Sequence, residues 1–277
     1  MAENAESAEM VEAAWREFLT IGKVDQEQRQ RRILSKLPGQ PRCRLCHAPF
    51  KGLGSPVARL VFSRRPSSLH PRLCNTCGTF AKRFMGGAEI ELTTLFADVR
   101  GSTGLAEKQR PTEFADLMNR FYKASTDVLI KSNAFIDKLV GDEVVALFVP
   151  VFAGPSYCRA AIDAAEKLLR ATGHDAPDAC WIPLGVGVHT GTAFMGAVGA
   201  KDQKIEITAL GDAMNVGARL ASEAKQREAF ISEATVEAAG MDLSHLERRE
   251  LKLKGRSEPV AVRVLRVDST PAGEKRT

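Results

Sequence analysis

The sequence predicts an α+β fold, a sheet with helices on one face, preceded by a small cysteine-bearing module. Three observations carry this. From about residue 89 onward, β-rich apolar runs alternate with helical periodicity in the order strand, helix, strand, strand, helix, strand, strand, helix. At the centre of that order, residues 134–149, AFIDKLVGDEVVALFV, read as two strands joined by a tight turn at Val140, Gly141 and Asp142. Upstream, residues 28–88 hold thirteen Lys or Arg and no acid, and two CxxC pairs lie inside that block.

The formal net charge of +5 is therefore segregated, with −5 in residues 1–27, +13 in 28–88 and −3 in the remainder. Residues 1–40 form the first segment. Met10, Val11, Ala14, Trp15, Phe18 and Leu19 fall at helical spacing, which predicts one or two amphipathic helices whose apolar stripe packs on the rest of the protein or on a second subunit. Pro38 and Gly39 end it. Residues 41–87 follow as a basic metal-binding module. Cys43-x-x-Cys46 and Cys74-x-x-Cys77 are separated by 27 residues, a spacing that points four thiolates at one site. Structural zinc is the first reading and an iron–sulfur cluster the rival. His47 and His70 lie near the knuckles, where four thiols make them unnecessary as ligands.

Disulfides are disfavoured. The start, MAENAESAEM, is acidic where a secretory signal is basic then apolar, and no apolar run reaches the roughly 18 to 20 residues of a membrane helix. A cytoplasmic protein with reduced cysteines and no membrane partner is expected. Arg59, Arg64, Arg65 and Arg72 suit nucleic-acid phosphates, or else offset the charge of a thiolate site, so residues 28–88 are the place for any nucleic-acid contact. Phe50, Phe62, Phe80 and Phe84 supply no interleaved stacking platform. Met85, Gly86 and Gly87 read as a short flexible junction.

In the larger part, strands are expected at about 89–98, 143–149, 182–190 and 203–209, and helices at 112–131, 154–172 and 212–225. Leu92 to Val99 delivers Asp98 to a strand end, and Gly101, Ser102 and Thr103 make the turn that follows. A hairpin laid beside that strand brings Asp142 next to Asp98. Two unpaired carboxylates repel and raise each other's pKa unless a cation sits between them, and a pair of hard divalent ions is how many phosphoryl-transfer sites use such residues. Taken singly, Asp98 also reads as a helix cap and Asp142 as a turn former.

In Ile205 to Leu220 a strand ends at Leu210, Gly211 turns, Asp212 caps, and a helix presents Asn215 and Arg219 on one face. An amide beside a guanidinium suits a ribose and a phosphate, the alternative being an exposed polar stripe. Gly185, Gly187 and Gly191 mark close backbone approach, with His189 as a packing residue. Cys158 and Cys180 read as ordinary buried thiols.

Five segments, LFADVRGSTGLAE (95–107), IDKLVGDEVVALF (136–148), GVGVHTGTAFMGAVG (185–199), ITALGDAMNVGARL (207–220) and LKGRSEPV (253–260), together resemble the class III nucleotidyl cyclase domain in order and spacing. The likeness covers residues 88–268. It implies a ferredoxin-like βαββαβ core that dimerises head to tail, so that two active sites form across a homodimer interface. It also implies two Mg2+ or Mn2+ ions per site on Asp98 and Asp142, Lys138 reading adenine, Asn215 orienting the ribose and Arg219 stabilising the transition state. Thr208 stands where many adenylyl cyclases carry Asp, a replacement typical of one adenylyl branch. Lys254 or Arg256 holds the terminal phosphates.

The implied reaction converts ATP to 3′,5′-cyclic AMP and pyrophosphate. Guanine asks for an acidic residue in place of Lys138, and GTP or a pyrimidine triphosphate are the other substrates of this scaffold. A reading of a different class is a catalytically silent dimer carrying a zinc-dependent nucleic-acid or protein-binding module. Residues 269–277 read as a disordered tail.

Overall fold

The computed structural model describes residues 2–21, 24–68, 72–176, 178–199 and 205–267. His70 and the expected tail at 269–277 lie outside them. In chain order the elements are α1 (Ala2–Arg16), a π-helical turn (Glu17–Ile21), α2 (Val24–Lys36), α3 (Ser55–Leu60), α4 (Asn75–Arg83), β1 (Gly86–Val99), α5 (Ser102–Glu107), α6 (Pro111–Lys131), β2 (Phe135–Val140), β3 (Glu143–Phe148), α7 (Pro150–Ala153), α8 (Tyr157–Ala171), β4 (Leu184–Gly199), β5 (Ile205–Leu210), α9 (Asp212–Glu223), β6 (Glu228–Ser232), α10 (Glu233–Ala239), β7 (Glu247–Leu251) and β8 (Val260–Arg266). The strands run β2-β3-β1-β4-β6-β8-β7 across one sheet, with β5 paired to β4. The chain divides into two compact units.

One unit comprises residues 92–148, 156–191 and 212–277. Its part of β1 is buried at every position from Leu92 to Ala97, which is why that stretch is nearly continuously apolar. Neighbouring residues there face opposite ways. Thr93 Oγ1 reaches Cys158 Sγ of α8 at 3.3 Å, whereas a Cβ built on Gly217 of α9 would lie 2.3 Å from Thr94 Oγ1. The two helices of the βαββαβ core, α6 and α8, pack on each other on the first face, as expected. Beyond that core, α9 covers the second face, burying Val216 and Leu220 against Phe230, Val262 and Val264. Gly187 makes this approach workable, since a Cβ there would meet Ala221 N at 2.3 Å.

The β2–β3 hairpin turns on two residues, Gly141 at φ +60° and Asp142, and β3 then runs antiparallel to β1 with Asp98 opposite Glu143.

The other unit holds residues 1–91, 149–155 and 192–211. The predicted stripe packs inward at its C-terminal end, with Trp15 and Leu19 fully buried and Trp15 Nε1 donating to Phe84 O at 2.7 Å, whereas Met10 at its start is 60% exposed. Phe18 and Phe80 stack at 5.1 Å between centroids, and Phe152 closes the cluster at 6.3 Å from Phe18. Gly86 and Gly87 are not a flexible junction. They open β1, and a Cβ on Gly87 would lie 2.4 Å from Met195 O, so the absent side chain serves close strand contact.

Candidate active site and cysteine cluster

Strand register gathers three carboxylates at one end of the sheet. Asp98 lies opposite Glu143, and Val99 N donates to Asp142 O at 3.0 Å, which fixes the hairpin turn beside the end of β1. Ser102 Oγ, at the start of α5, donates to Asp142 Oδ2. Arg100 forms an ion pair with Asp98 and anchors itself by donating from Nη1 to Ser222 O at 2.6 Å. Burial raises the Asp98 pKa, hydrogen bonding from Arg100 opposes that, and the Asp142 charge adds to the rise. Glu143 is likewise raised, first by burial and then by Asp98 and Asp142. The geometry thus brings Asp98 and Asp142 together, and one guanidinium leaves the site's negative charge uncompensated. A hard, all-oxygen donor set of this kind fits Mg2+ or Mn2+. Sequence reading missed Arg100, Ser102 and Glu143, although all three stand in or beside the motifs that drew attention to the aspartates.

On α9, Asn215 is exposed and Arg219 half-buried. A Cβ on Gly255 would lie 3.5 Å from an Arg219 Nη atom, so this guanidinium sits against the turn carrying Lys254, Gly255 and Arg256. Both cations of that turn are exposed, and Arg256 forms an ion pair with Asp212 at the start of α9. Lys138 on β2 is half-exposed beside Asp137, at 3.6 Å. Thr208 is buried on β5 opposite Gly196.

His189 behaves as a packing residue, its Nδ1 sharing a hydrogen bond with Ser232 Oγ at 2.9 Å. Burial, then the Arg256 guanidinium, lower its pKa from 6.5 to about 4. Between those values the unfolded chain binds the proton and the native chain does not. The resulting stability is present above pH 6.5 and lost as pH falls toward 4, amounting to at most about 3 kcal/mol. His174, lowered mainly by burial, acts with the same sign. Urea melts between pH 4 and 7 should show this loss, and His189→Gln should make it shallower.

In the other unit, Cys43, Cys46, Cys74 and Cys77 converge with all four sulfurs within 4.8 Å of one another and none in a disulfide. Cys46 Sγ and Cys74 Sγ are 3.7 Å apart, and Cys74 N donates to Cys43 Sγ at 3.3 Å. Hydrogen bonds from Cys43, Cys46 and Cys77 push the Cys74 thiol down, while Cys46 and Cys77 are pushed up, first by Cys43, so the four sulfurs compete for negative charge. His47 is turned to Arg31, its Nε2 2.8 Å from the guanidinium. Arg31 is only 2% exposed and lies 4.0 Å above the Phe152 ring. Burial lowers its pKa to about 9, and the charges of Cys46, Cys43 and Cys77 oppose that fall. Its proximity to the cluster was not foreseen, because 11 residues of intervening chain separate Arg31 from Cys43.

The adenylate and guanylate cyclase catalytic domain matches residues 88–265. An adenylate cyclase of Anabaena cylindrica is 30% identical over 185 residues, covering 62% of this chain and 36% of that protein. The terminal-differentiation-specific adenylate cyclase of Dictyostelium discoideum is 29% identical over 179 residues, covering 62% and 8% respectively. The chain thus spans about a third or less of the length of these curated relatives. Among solved structures, the guanylyl cyclase Cya2 is 26% identical with a TM-score of 0.58, covering 65% of this chain and 93% of that one. The adenylyl cyclase CyaB from P. aeruginosa is 27% identical with a TM-score of 0.54, covering 64% and 94%. The match over residues 88–265 takes in well over half of the chain, and the chain belongs to the adenylate and guanylate cyclase catalytic domain family.

Proposed function

We propose that this protein is an adenylate cyclase that converts ATP to 3′,5′-cyclic AMP and pyrophosphate at sites shared between two copies of the chain. The observation that carries the reading is the carboxylate pair Asp98 and Asp142, held at adjoining strand ends with a raised Asp98 pKa. Mg2+ or Mn2+ bound by these two residues would acidify the ribose 3′-hydroxyl and offset phosphate charge. The 3′-oxygen attacks the α-phosphorus, its proton passes to solvent, and the bond to the β-phosphate breaks as pyrophosphate leaves.

Asn215 orients the ribose, and Arg219 meets charge that grows on the α-phosphate during that step. Lys254 is assigned the terminal phosphates, because Arg256 is already engaged by Asp212. Lys138 is a donor and Thr208 a donor or acceptor, which suits the N1 and exocyclic amine of adenine.

One feature favours a shared site. Leu139 and Val140, beside the catalytic turn, are 42% and 60% exposed, apolar surface that a second copy would cover. Assaying ATP, GTP, CTP and UTP in parallel with Mn2+ tests the base assignment. Cyclic AMP should dominate, and a preference for another base would move the assignment of Lys138 and Thr208.

For the four cysteines we propose one structural zinc ion. Four Zn–S bonds of about 2.3 Å place tetrahedral sulfurs roughly 3.8 Å apart. The 3.7 Å separation of Cys46 and Cys74, with all four sulfurs inside 4.8 Å, supports a single ion over a cluster that interposes sulfides and spreads its cysteines further. The free thiols speak against the disulfide reading. A cytoplasmic setting remains the accompanying expectation.

A further inference from the structure

The metal-binding module turns a set of core-type side chains outward. Short helix α3 is held from within by Ser55 and Ala58, both buried, and Ser55 Oγ donates to Phe50 O at 3.0 Å. Its outer face and flanking turns carry Leu53, Val57, Leu60 and Val61, which are 87%, 40%, 84% and 70% exposed. Four of the nine exposed large apolar side chains among the described residues thus fall within nine consecutive positions. Scattered singly, such residues need no explanation, but a contiguous cluster marks a contact surface. Lys51, Arg59 and Arg65 are exposed around it, and Pro56, Arg59, Leu60, Arg65 and Pro66 line a shallow depression on the same face. The surrounding block, residues 28–88, contains no acid.

The chemistry of this face selects among occupants. A second copy docked symmetrically would set Lys51, Arg59 and Arg65 against themselves. Nucleic acid would satisfy the cations but leave four aliphatic side chains against phosphate and water, with no aromatic ring among them to stack on bases. An acidic amphipathic helix needs a groove deep enough to lie in, and the depression beside Leu60 is shallow while Leu53 and Leu60 stand 87% and 84% exposed. A bilayer surface with anionic headgroups offers acyl chains to the projecting leucines and negative charge to the rim.

We infer that the Leu53–Val61 face docks on an anionic lipid surface, with Leu53, Leu60 and Val61 entering the acyl boundary and Lys51, Arg59 and Arg65 meeting headgroup phosphates. This concerns peripheral contact. Among the described residues no helix is long and apolar enough to cross a membrane. Composition hides the feature, because these residues become a surface only once α3 buries its small face. The inference goes beyond the cyclase reading and stands without it.

The test sediments the full chain with vesicles of phosphatidylcholine alone and of phosphatidylcholine with phosphatidylglycerol. Capture is expected on the anionic vesicles, to weaken with added salt, and to be absent on the zwitterionic ones. Leu53→Ser combined with Leu60→Ser should lower capture at least about tenfold while leaving the melting midpoint unchanged, since both side chains are exposed. Lys51→Gln combined with Arg65→Gln should lower it while removing much of the salt dependence. Three results would each overturn the proposal: no capture on anionic vesicles, capture that the double serine variant retains, or a changed oligomeric state in that variant with capture intact.

Discussion

Asp98→Ala should lower cyclic AMP formation by about a thousandfold or more while the protein melts at an unchanged or slightly higher temperature. The two halves of this expectation have separate causes. Asp98 stands at the end of β1 with 23% of its side chain exposed, outside the apolar core, and its carboxylate is raised by burial and by the charge of Asp142. A carboxyl whose pKa is higher in the native state than in the unfolded chain makes native stability fall as pH rises through that window, so removing it relieves a burden. The same charge is what recruits a cation, so activity depends on it fully. Activity should accordingly decline as pH drops far enough to protonate Asp98, because the neutral acid no longer attracts a cation. Asp142→Ala should match the loss of turnover, with some loss of order at the turn because Ser102 forfeits its acceptor. Circular-dichroism melts beside a cyclic AMP assay separate the two effects, and comparable losses of fold and activity would contradict the assignment.

Stripping metal from the cysteine cluster should unfold the module around it. Structural zinc sites contribute on the order of 10 kcal/mol to small loop-rich folds, more than a segment of this size holds in reserve. Cys43→Ser or Cys74→Ser should have the same result. Loss should reach beyond residues 41–87, because Arg31 bridges the cluster and Phe152, and because Trp15, Phe18 and Phe80 pack in the same unit. Arg31→Met keeps the bulk of that side chain without its charge, and should release zinc about tenfold faster, in the range found for residues that support metal ligands. Metal content by mass spectrometry, release followed with a chromogenic chelator, and tryptophan fluorescence of Trp15 report the three stages. A chelated protein with one zinc-free, native-like melt would contradict a structural ion.

Much of this architecture was legible because its physics is local. The β2–β3 turn announces itself through Gly141 between β-branched runs, and the Asn215–Arg219 face through a four-residue spacing that only a helix converts into adjacency. The cysteine cluster was readable because each CxxC fixes two sulfurs by itself, leaving one long-range convergence to infer. What escaped depends on tertiary contact. Strands β6, β7 and β8 were not anticipated, since their charged residues, such as Arg249 and Arg266 gathered on Glu228, look like surface until the sheet pairs them. Gly86 and Gly87 resembled a hinge because close approach of two backbones and freedom from contact select the same residue. Arg100 was passed over because its partner Ser222 lies far along the chain.

In the proposed site, carboxylates from one chain work with the amide and guanidinium of another. Mixing Asp98→Ala protein with Arg219→Ala protein, each inactive alone, tests this directly. If the site is shared, a mixed dimer carries both lesions in one site and none in the other, and random mixing should restore about a quarter of the normal activity. If instead each chain houses a whole site, no mixed dimer contains an intact one, and the mixture would stay as inactive as its parts.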